Sequence, residues 1–236
     1  MDYFQHLLNH IDHIEKNIGY SFLNKDFLVL PFVHRSFVNE NKKRAPEHNE
    51  RLEFLGDSVL GLIISEFLFK RLEKSPEGEL SSARSSLVDE SSCMLYMKKL
   101  NIESFILLGK GERESKGMEK SSILADLFEA LVASIYLDGG FSKAKEFVFS
   151  NFSDDIETIL QSPHVNFKAQ LQEIIQKKCQ KTPEYRVLNE QGPDHVKTFF
   201  VEVYLDDDTM GSGEGPSKKQ AEQMAAKEAL KNKDNL

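Results

Sequence analysis

Asn49-Glu-Arg-Leu-Glu-Phe-Leu-Gly-Asp-Ser-Val-Leu60 places three carboxylates, Glu50, Glu53 and Asp57, at i, i+3 and i+7 within an apolar run. On a 3.6-residue period the three share one helical face. Leu52, Phe54, Leu55, Val59, Leu60, Leu62, Ile63 and Ile64 occupy nearly every other side, which reads as a buried helix rather than one with a wet face. Acids crowded on such a stripe raise one another's pKa and cost roughly several kcal/mol of desolvation unless something cationic compensates. A hard divalent ion with oxygen ligands supplies that compensation. The same logic returns downstream, where Asp126 and Glu129 stand at i, i+3 in the apolar stretch from Ser122 to Asp138. Together the two stripes are expected to form an acidic cage.

Outward from the first stripe the pattern is helix after helix. Helices are expected over Phe4 to Asn17, Lys25 to Val33, and about Glu50 to Leu72, the last with Asn49 as N-cap and Glu47, Glu50 and Glu53 near the positive end of its dipole. A breaker cluster from Glu73 to Gly78 follows, then helices over Leu80 to Val88, Ser91 to Leu100, Ser121 to Leu137 and Ser142 to Leu160, with Gly139-Gly140 closing the third of these. No alternating run interrupts them, so this part reads as all-α.

Around Gln161-Ser-Pro163 the period changes, which divides the chain into domains 1–161 and 162–236. Beyond it come a helix over Phe167 to Lys178, strands over Glu184 to Asn189, Lys197 to Leu205 and Thr209 to Gly213, and a helix over Ser217 to Lys231. The linker is expected to be flexible from its length and composition.

With 236 residues, 40% hydrophobic and 29% charged, the chain can bury two modest cores. The first twenty residues lack the basic-then-apolar order of a secretory signal, and no long uncharged apolar run follows, so a cytoplasmic protein without a membrane span is expected. Cys93 and Cys179 are too few and too far apart for a disulfide framework or a zinc site. The formal charge of -8 at first opposes a nucleic-acid partner. From Val165 onward, however, 11 basic residues face 12 acids, leaving 19 basic against 26 acidic in the first 164. The excess acid therefore sits with the carboxylate stripes, where bound cations would offset it.

Asn49 to Leu60 resembles the signature segment of bacterial ribonuclease III. Val33-His34-Arg35-Ser36-Phe37 resembles the segment that precedes it. Leu108-Gly-Lys-Gly-Glu112 and Ser121-Ser-Ile-Leu-Ala-Asp-Leu-Phe-Glu-Ala-Leu resemble the second acidic block, which Tyr136-Leu-Asp-Gly-Gly-Phe141 closes. The α-β-β-β-α order of the second part is similar to a double-stranded-RNA-binding domain. Its landmarks are Gly192-Pro-Asp-His195, Gly211-Ser-Gly-Glu-Gly215 and the run from Ser217 to Ala226.

The resemblance implies an all-α nuclease domain followed by an α+β RNA-binding domain. It further implies a homodimer in which each subunit cuts one strand of a duplex, leaving 5′-phosphate and 3′-hydroxyl ends with short 3′ overhangs. Glu50, Asp57, Asp126 and Glu129 would then hold Mg²⁺, with Mn²⁺ able to substitute. Paired ions about 4 Å apart can activate a water and stabilise the leaving 3′ oxygen. Asp57 and Glu129 are the implied catalytic pair, with Glu129 the acid whose loss is worst. Glu53 and Glu77 are further acids with either a valley or a structural role, Glu53 having Arg51, Arg84 or His34 as alternative partners.

In the second domain Gln172, Gln176 and His195 match minor-groove contacts, and Lys218 and Lys219 match phosphate contacts at a helix N-terminus. Pro216 stands where the family often has lysine, so one phosphate contact is expected to be missing. The Gly109 to Lys120 loop lacks the ending of a nucleotide-binding loop. Ribosomal RNA precursors and structured transcripts are the implied substrates, and a non-catalytic duplex-binding relative is the alternative.

Overall fold

The computed structural model describes residues 2–43, 45, 47–161, 167–192 and 197–231, without the side chain of Ala169. The chain separates into two compact units, Met1–His164 and Val165–Leu236. No helix among the described residues is long and apolar enough to cross a membrane.

The first unit is helical: α1 (Tyr3–Leu8), α2 (Ile11–Ile18), α3 (Lys25–Val29), α4 (Arg35–Asn41), α5 (Glu50–Arg71), α6 (Glu77–Leu87), α7 (Glu90–Leu100), α8 (Lys110–Glu114), α9 (Ser121–Gly139) and α10 (Phe141–Gln161). The expected first helix is two, parted at Asn9 and His10. The expected second helix ends at Val29, where Leu30-Pro31-Phe32 tightens into a 3-10 turn. Neither α4 nor α8 follows from hydrophobic periodicity. Both are short, and tertiary hydrogen bonds tie their starts: the Gly109 amide donates to Ser36 Oγ at 2.9 Å and the Lys110 amide to Glu40 at 3.0 Å.

Glycine closes α9 as expected, with Gly140 at φ +80°. Asn49 precedes α5 but does not cap it with its side chain. It is buried, and its Nδ2 donates to the Pro31 carbonyl at 3.0 Å while its backbone amide donates to Val33 at 2.9 Å. The residue thus fixes the entry of α5 against the 3-10 turn.

Helix α9 is the axis of the core, buried along Ile123, Leu124, Leu127, Phe128, Leu131, Val132 and Ile135. Phe128 meets Tyr96 of α7 at 5.3 Å between ring centroids and Phe152 of α10 at 5.4 Å, while Tyr96 and Phe152 stand 4.9 Å apart. Each such pair adds about 1 kcal/mol beyond its buried area. The acids of α9 are thereby carried on one of the most tightly held elements of the unit.

The second unit consists of α11 (Phe167–Cys179), β1 (Glu184–Gln191), β2 (Thr198–Leu205), β3 (Asp208–Gly215) and α12 (Lys218–Lys231). The antiparallel sheet has the order β1-β2-β3, with a bulge between Val187 and Asn189. Its core joins Leu171 and Ile175 to Val201, Val203, Met210 and the alanines of α12.

The glycine-rich Gly211-Ser-Gly-Glu-Gly215 segment, expected as strand only as far as Gly213, lies wholly in β3 and lets the strand lie directly on α12. A Cβ on Gly211 would fall 2.6 Å from the Ala229 amide, and one on Gly213 2.2 Å from that of Ala225 and 2.4 Å from the Ala221 carbonyl. Three alanines four residues apart complete the close contact. Gly213→Ala is accordingly expected to destabilise this unit by about 3 kcal/mol through overpacking against backbone. Amide hydrogen exchange in β3 and α12 would rise, with α9 unchanged.

Candidate active site

Helices α5 and α9 cross at Gly56. A Cβ there would sit 1.9 Å from the Glu129 carbonyl oxygen, so the backbones touch at a spacing only glycine permits. One turn away Leu52 packs on Ala130 and Ala133, which extends the close approach. The crossing faces the two acid stripes toward each other.

An open cleft of about 530 Å³ results, lined by Glu50, Glu53 and Asp126 together with His34, Arg35, Asn49, Glu112 and Lys120 among others. Neither Glu129, partly buried on α9, nor Asp57, exposed on α5, is among the residues that line it. Asp126 is half-buried, and burial together with Glu53, Glu90 and Glu50 pushes its carboxyl up to about 6. Burial, then Asp57, Glu53 and Asp126, pushes Glu129 up to about 7. Glu53 is raised as well, by burial and by Glu50 and Asp57. Six acids, Glu90 of α7 among them, are therefore electrostatically coupled, and the most buried of them ionise at a cost.

Protein donors offset only part of that cost. Arg35 donates to Glu50 at 3.2 Å, and His48 lies 3.8 Å from the same carboxylate. The buried Cys93 thiol donates to Glu129 at 3.9 Å. Among the described residues no three His, Cys, Asp or Glu side chains are arranged to hold a metal ion, so the acids line a cleft rather than a closed cage. The donor set nevertheless fits a hard divalent cation. Its ligands would all be oxygens, and its two most buried carboxyls carry raised pKa values that a nearby positive charge would lower.

The remaining acids divide. Glu53 lines the cleft, and Arg84, considered as its partner, instead reaches Ser65 Oγ at 3.4 Å. Glu77 does not sit on a loop. It opens α6, where its carboxylate accepts from the Ser81 hydroxyl at 2.7 Å, and it does not line the cleft.

Periodicity gives no hint of the basic end of the cleft. Arg35 arrives on α4, and Lys120 precedes α9, held 2.5 Å from Glu112. His34 caps α4 by accepting from the Ser36 amide, and burial lowers its pKa. The only sequence signal for these groups was the Val33 to Phe37 segment and the charged loop before Ser121.

The apolar surround of α5 is also divided. Leu52, Val59, Leu60, Ile63, Ile64 and Leu68 are buried, but Phe54, Leu62 and Phe69 are 79%, 58% and 72% exposed. The helix is thus not buried on every side. These three side chains share a broad outward face and leave an unusual apolar area in water.

In the second unit Gln172 and Gln176 are exposed on α11, and Lys218 and Lys219 open α12, whose amide at Gln220 is capped by Ser217 Oγ at 3.3 Å. His195 lies outside the described residues.

Two family models match the chain, "Ribonuclease-III-like" over residues 24–156 and "Double-stranded RNA binding motif" over residues 167–233. A protein named Ribonuclease 3 from Protochlamydia amoebophila is 52% identical over 98% of this chain and 95% of its own length. The Ribonuclease 3 of Borreliella burgdorferi is 45% identical over 94% of this chain and 90% of its own. The crystal structure of the ribonuclease III nuclease domain from Campylobacter jejuni is similar with a TM-score of 0.56 at 38% identity, covering 61% of this chain and 94% of that one. A further structure of that domain, described for structural flexibility in its dimer-forming region, has a TM-score of 0.55 at 39% identity over 61% of this chain and 99% of its own.

Proposed function

Because the chain belongs to the ribonuclease III family, we propose that it cleaves double-stranded RNA endonucleolytically at the cleft between α5 and α9, with Mg²⁺ held by Glu50, Asp57, Asp126 and Glu129. The observation that carries this reading is the close crossing at Gly56, which brings acids from two distant segments into one electrostatically coupled group. Bound there, the cation supplies an activated water and charge compensation for the leaving 3′ oxygen.

The chain's own residues do the rest. Glu129 and Asp126, on the rigid α9, set the position of that charge. Glu50 from the facing wall and Asp57, exposed further along α5, would complete the oxygen set. Glu53 lines the same cleft and orients solvent within it. Arg35 and Lys120, each paired with a carboxylate, are the cations of the cleft lining that a phosphodiester would meet at an otherwise acidic surface. No side chain needs to act as a nucleophile. The products carry 5′-phosphate and 3′-hydroxyl ends with short 3′ overhangs, and the substrates are ribosomal RNA precursors and structured transcripts in the cytoplasm. Mn²⁺ substitutes for Mg²⁺ in such an oxygen-rich site.

The test is cleavage of an end-labelled duplex RNA with Mg²⁺, with Mn²⁺ and with EDTA, beside a binding assay. Cutting with either metal and duplex binding alone in EDTA are expected. A chain that binds duplex yet never cuts under any metal would be the non-catalytic relative, and this reading would be discarded.

The second domain holds the duplex by shape. Gln172, Gln176 and His195 would contact minor grooves, while Lys218 and Lys219 would hold phosphates. The exposed face of α5 supports a homodimer, since Phe54, Leu62 and Phe69 leave apolar area in water that a second copy would cover. Phe54→Asp is expected to leave the fold intact and shift the sedimentation coefficient to that of a monomer. Paired cuts on the two strands should disappear with the dimer.

A further inference from the structure

Lys218 is already partnered in a way that its assignment to phosphate does not explain. Its Nζ lies 3.3 Å from Glu190 Oε1 and 5.6 Å from the centroid of the Phe199 ring. The other oxygen of Glu190 lies 3.1 Å from Lys197 Nζ. Glu190 and Phe199 are register partners across β1 and β2, so one carboxylate gathers two lysines at the end of this strand pair. Those lysines hold its carboxyl below the ordinary range, Lys197 first. Lys219, the next residue, makes no ion pair among the described residues and is exposed.

We infer that Glu190 determines how tightly the chain holds duplex RNA, by competing with phosphate for Lys218. The inference rests on the proposed role of the α12 N-terminus in binding phosphate. An incoming phosphate must displace the carboxylate from Lys218. The carboxylate then stays nearby, anchored by Lys197, as a like charge within a Debye length. Lys219 carries no such restraint. Affinity for duplex is thereby held below what two adjacent lysines at a helix N-terminus would give, and product leaves faster than it otherwise would.

The test is duplex binding by the full chain in EDTA, so that nothing is cut, over a salt titration. Glu190→Gln is expected to bind about fivefold tighter at low salt, with its log affinity against log salt steeper by about one, because Lys218 then neutralises one more phosphate and one more counterion leaves the RNA. The gain should vanish in Lys218→Ala and persist in Lys219→Ala. Equal or weaker binding by Glu190→Gln, with both lysine variants still weakened, would overturn the inference alone and make Glu190 an organiser of Lys218. A gain that survives Lys218→Ala would overturn it in favour of a general charge effect. Wild-type binding by both lysine variants would remove the phosphate-binding reading of α12, and the inference with it.

Discussion

Glu129→Gln is expected to slow duplex cleavage about a thousandfold, equivalent to about 4 kcal/mol of lost transition-state stabilisation, while leaving duplex binding in EDTA unchanged. The same substitution should stabilise the metal-free protein, and this opposite sign makes the experiment diagnostic. Burial and the acids around it push Glu129 up to about 7 in the folded chain, above the value of about 4.3 for an unperturbed glutamate. Between those values the folded state binds more protons than the unfolded one, so its stability falls as pH rises through that window. Below it the penalty is absent, and above about 7 it is fully present. Glutamine removes it.

After a discount for the exposed part of the carboxyl, the expected gain at pH 8 is about 1 kcal/mol, or about 3 °C in Tm. No gain is expected at pH 4. Mg²⁺ should raise the Tm of the wild type more at pH 8 than at pH 5 and barely affect the variant. Thermal melts at the two pH values, with Mg²⁺ and with EDTA, provide the check. A variant that loses both cleavage and stability at pH 8 would show Glu129 to be a structural acid and would remove it from the proposed metal site.

The acids were legible in the sequence because their spacing is local. Glu50, Glu53 and Asp57 share a face by the helical period alone, as do Asp126 and Glu129. What brings them together is not local. The crossing depends on Gly56 meeting a carbonyl 73 residues away, and in the sequence that glycine is only a weak helix former. The Arg35 and Lys120 end of the cleft was hidden from periodicity for the same reason, since Arg35 opens the short α4, which a hydrogen bond ties to the distant Gly109, and Lys120 lies just outside the helix that carries the second acids.

Composition also misled in both domains. The apolar surround of α5 suggested burial on every side, yet Phe54, Leu62 and Phe69 face outward, because hydrophobicity reports a need for cover without saying which chain supplies it. The strand expected to stop at Gly213 runs on to Gly215, because close approach to a helix calls for the same residue as a turn does.

Gly56→Ala should have the largest effect of any single methyl group added to the nuclease unit. The new Cβ would lie 1.9 Å from the Glu129 carbonyl oxygen, 2.4 Å from its carbonyl carbon and 3.1 Å from its Cα. All three are backbone atoms of a helix whose far side is locked by Tyr96, Phe128 and Phe152, so no rotamer change relieves the clash. α5 and α9 must separate by an ångström or more. The expected cost is about 3 kcal/mol from overpacking, or about 9 °C in Tm for a unit of this size.

Cleavage should fall about a hundredfold even per folded molecule, because the separation moves Glu50 and Asp57 away from Asp126 and Glu129 by a distance that catalysis does not tolerate. Gly61→Ala is the control on the same helix. Its Cβ would meet nothing within 4 Å, and the better helix former should leave the unfolding temperature unchanged or raise it by the equivalent of about 0.5 kcal/mol. Equal destabilisation by the two substitutions would mean that α5 tolerates no side chain at either glycine for reasons unrelated to the crossing. Loss confined to Gly56→Ala would assign the geometry of the acidic cleft to one absent methyl group.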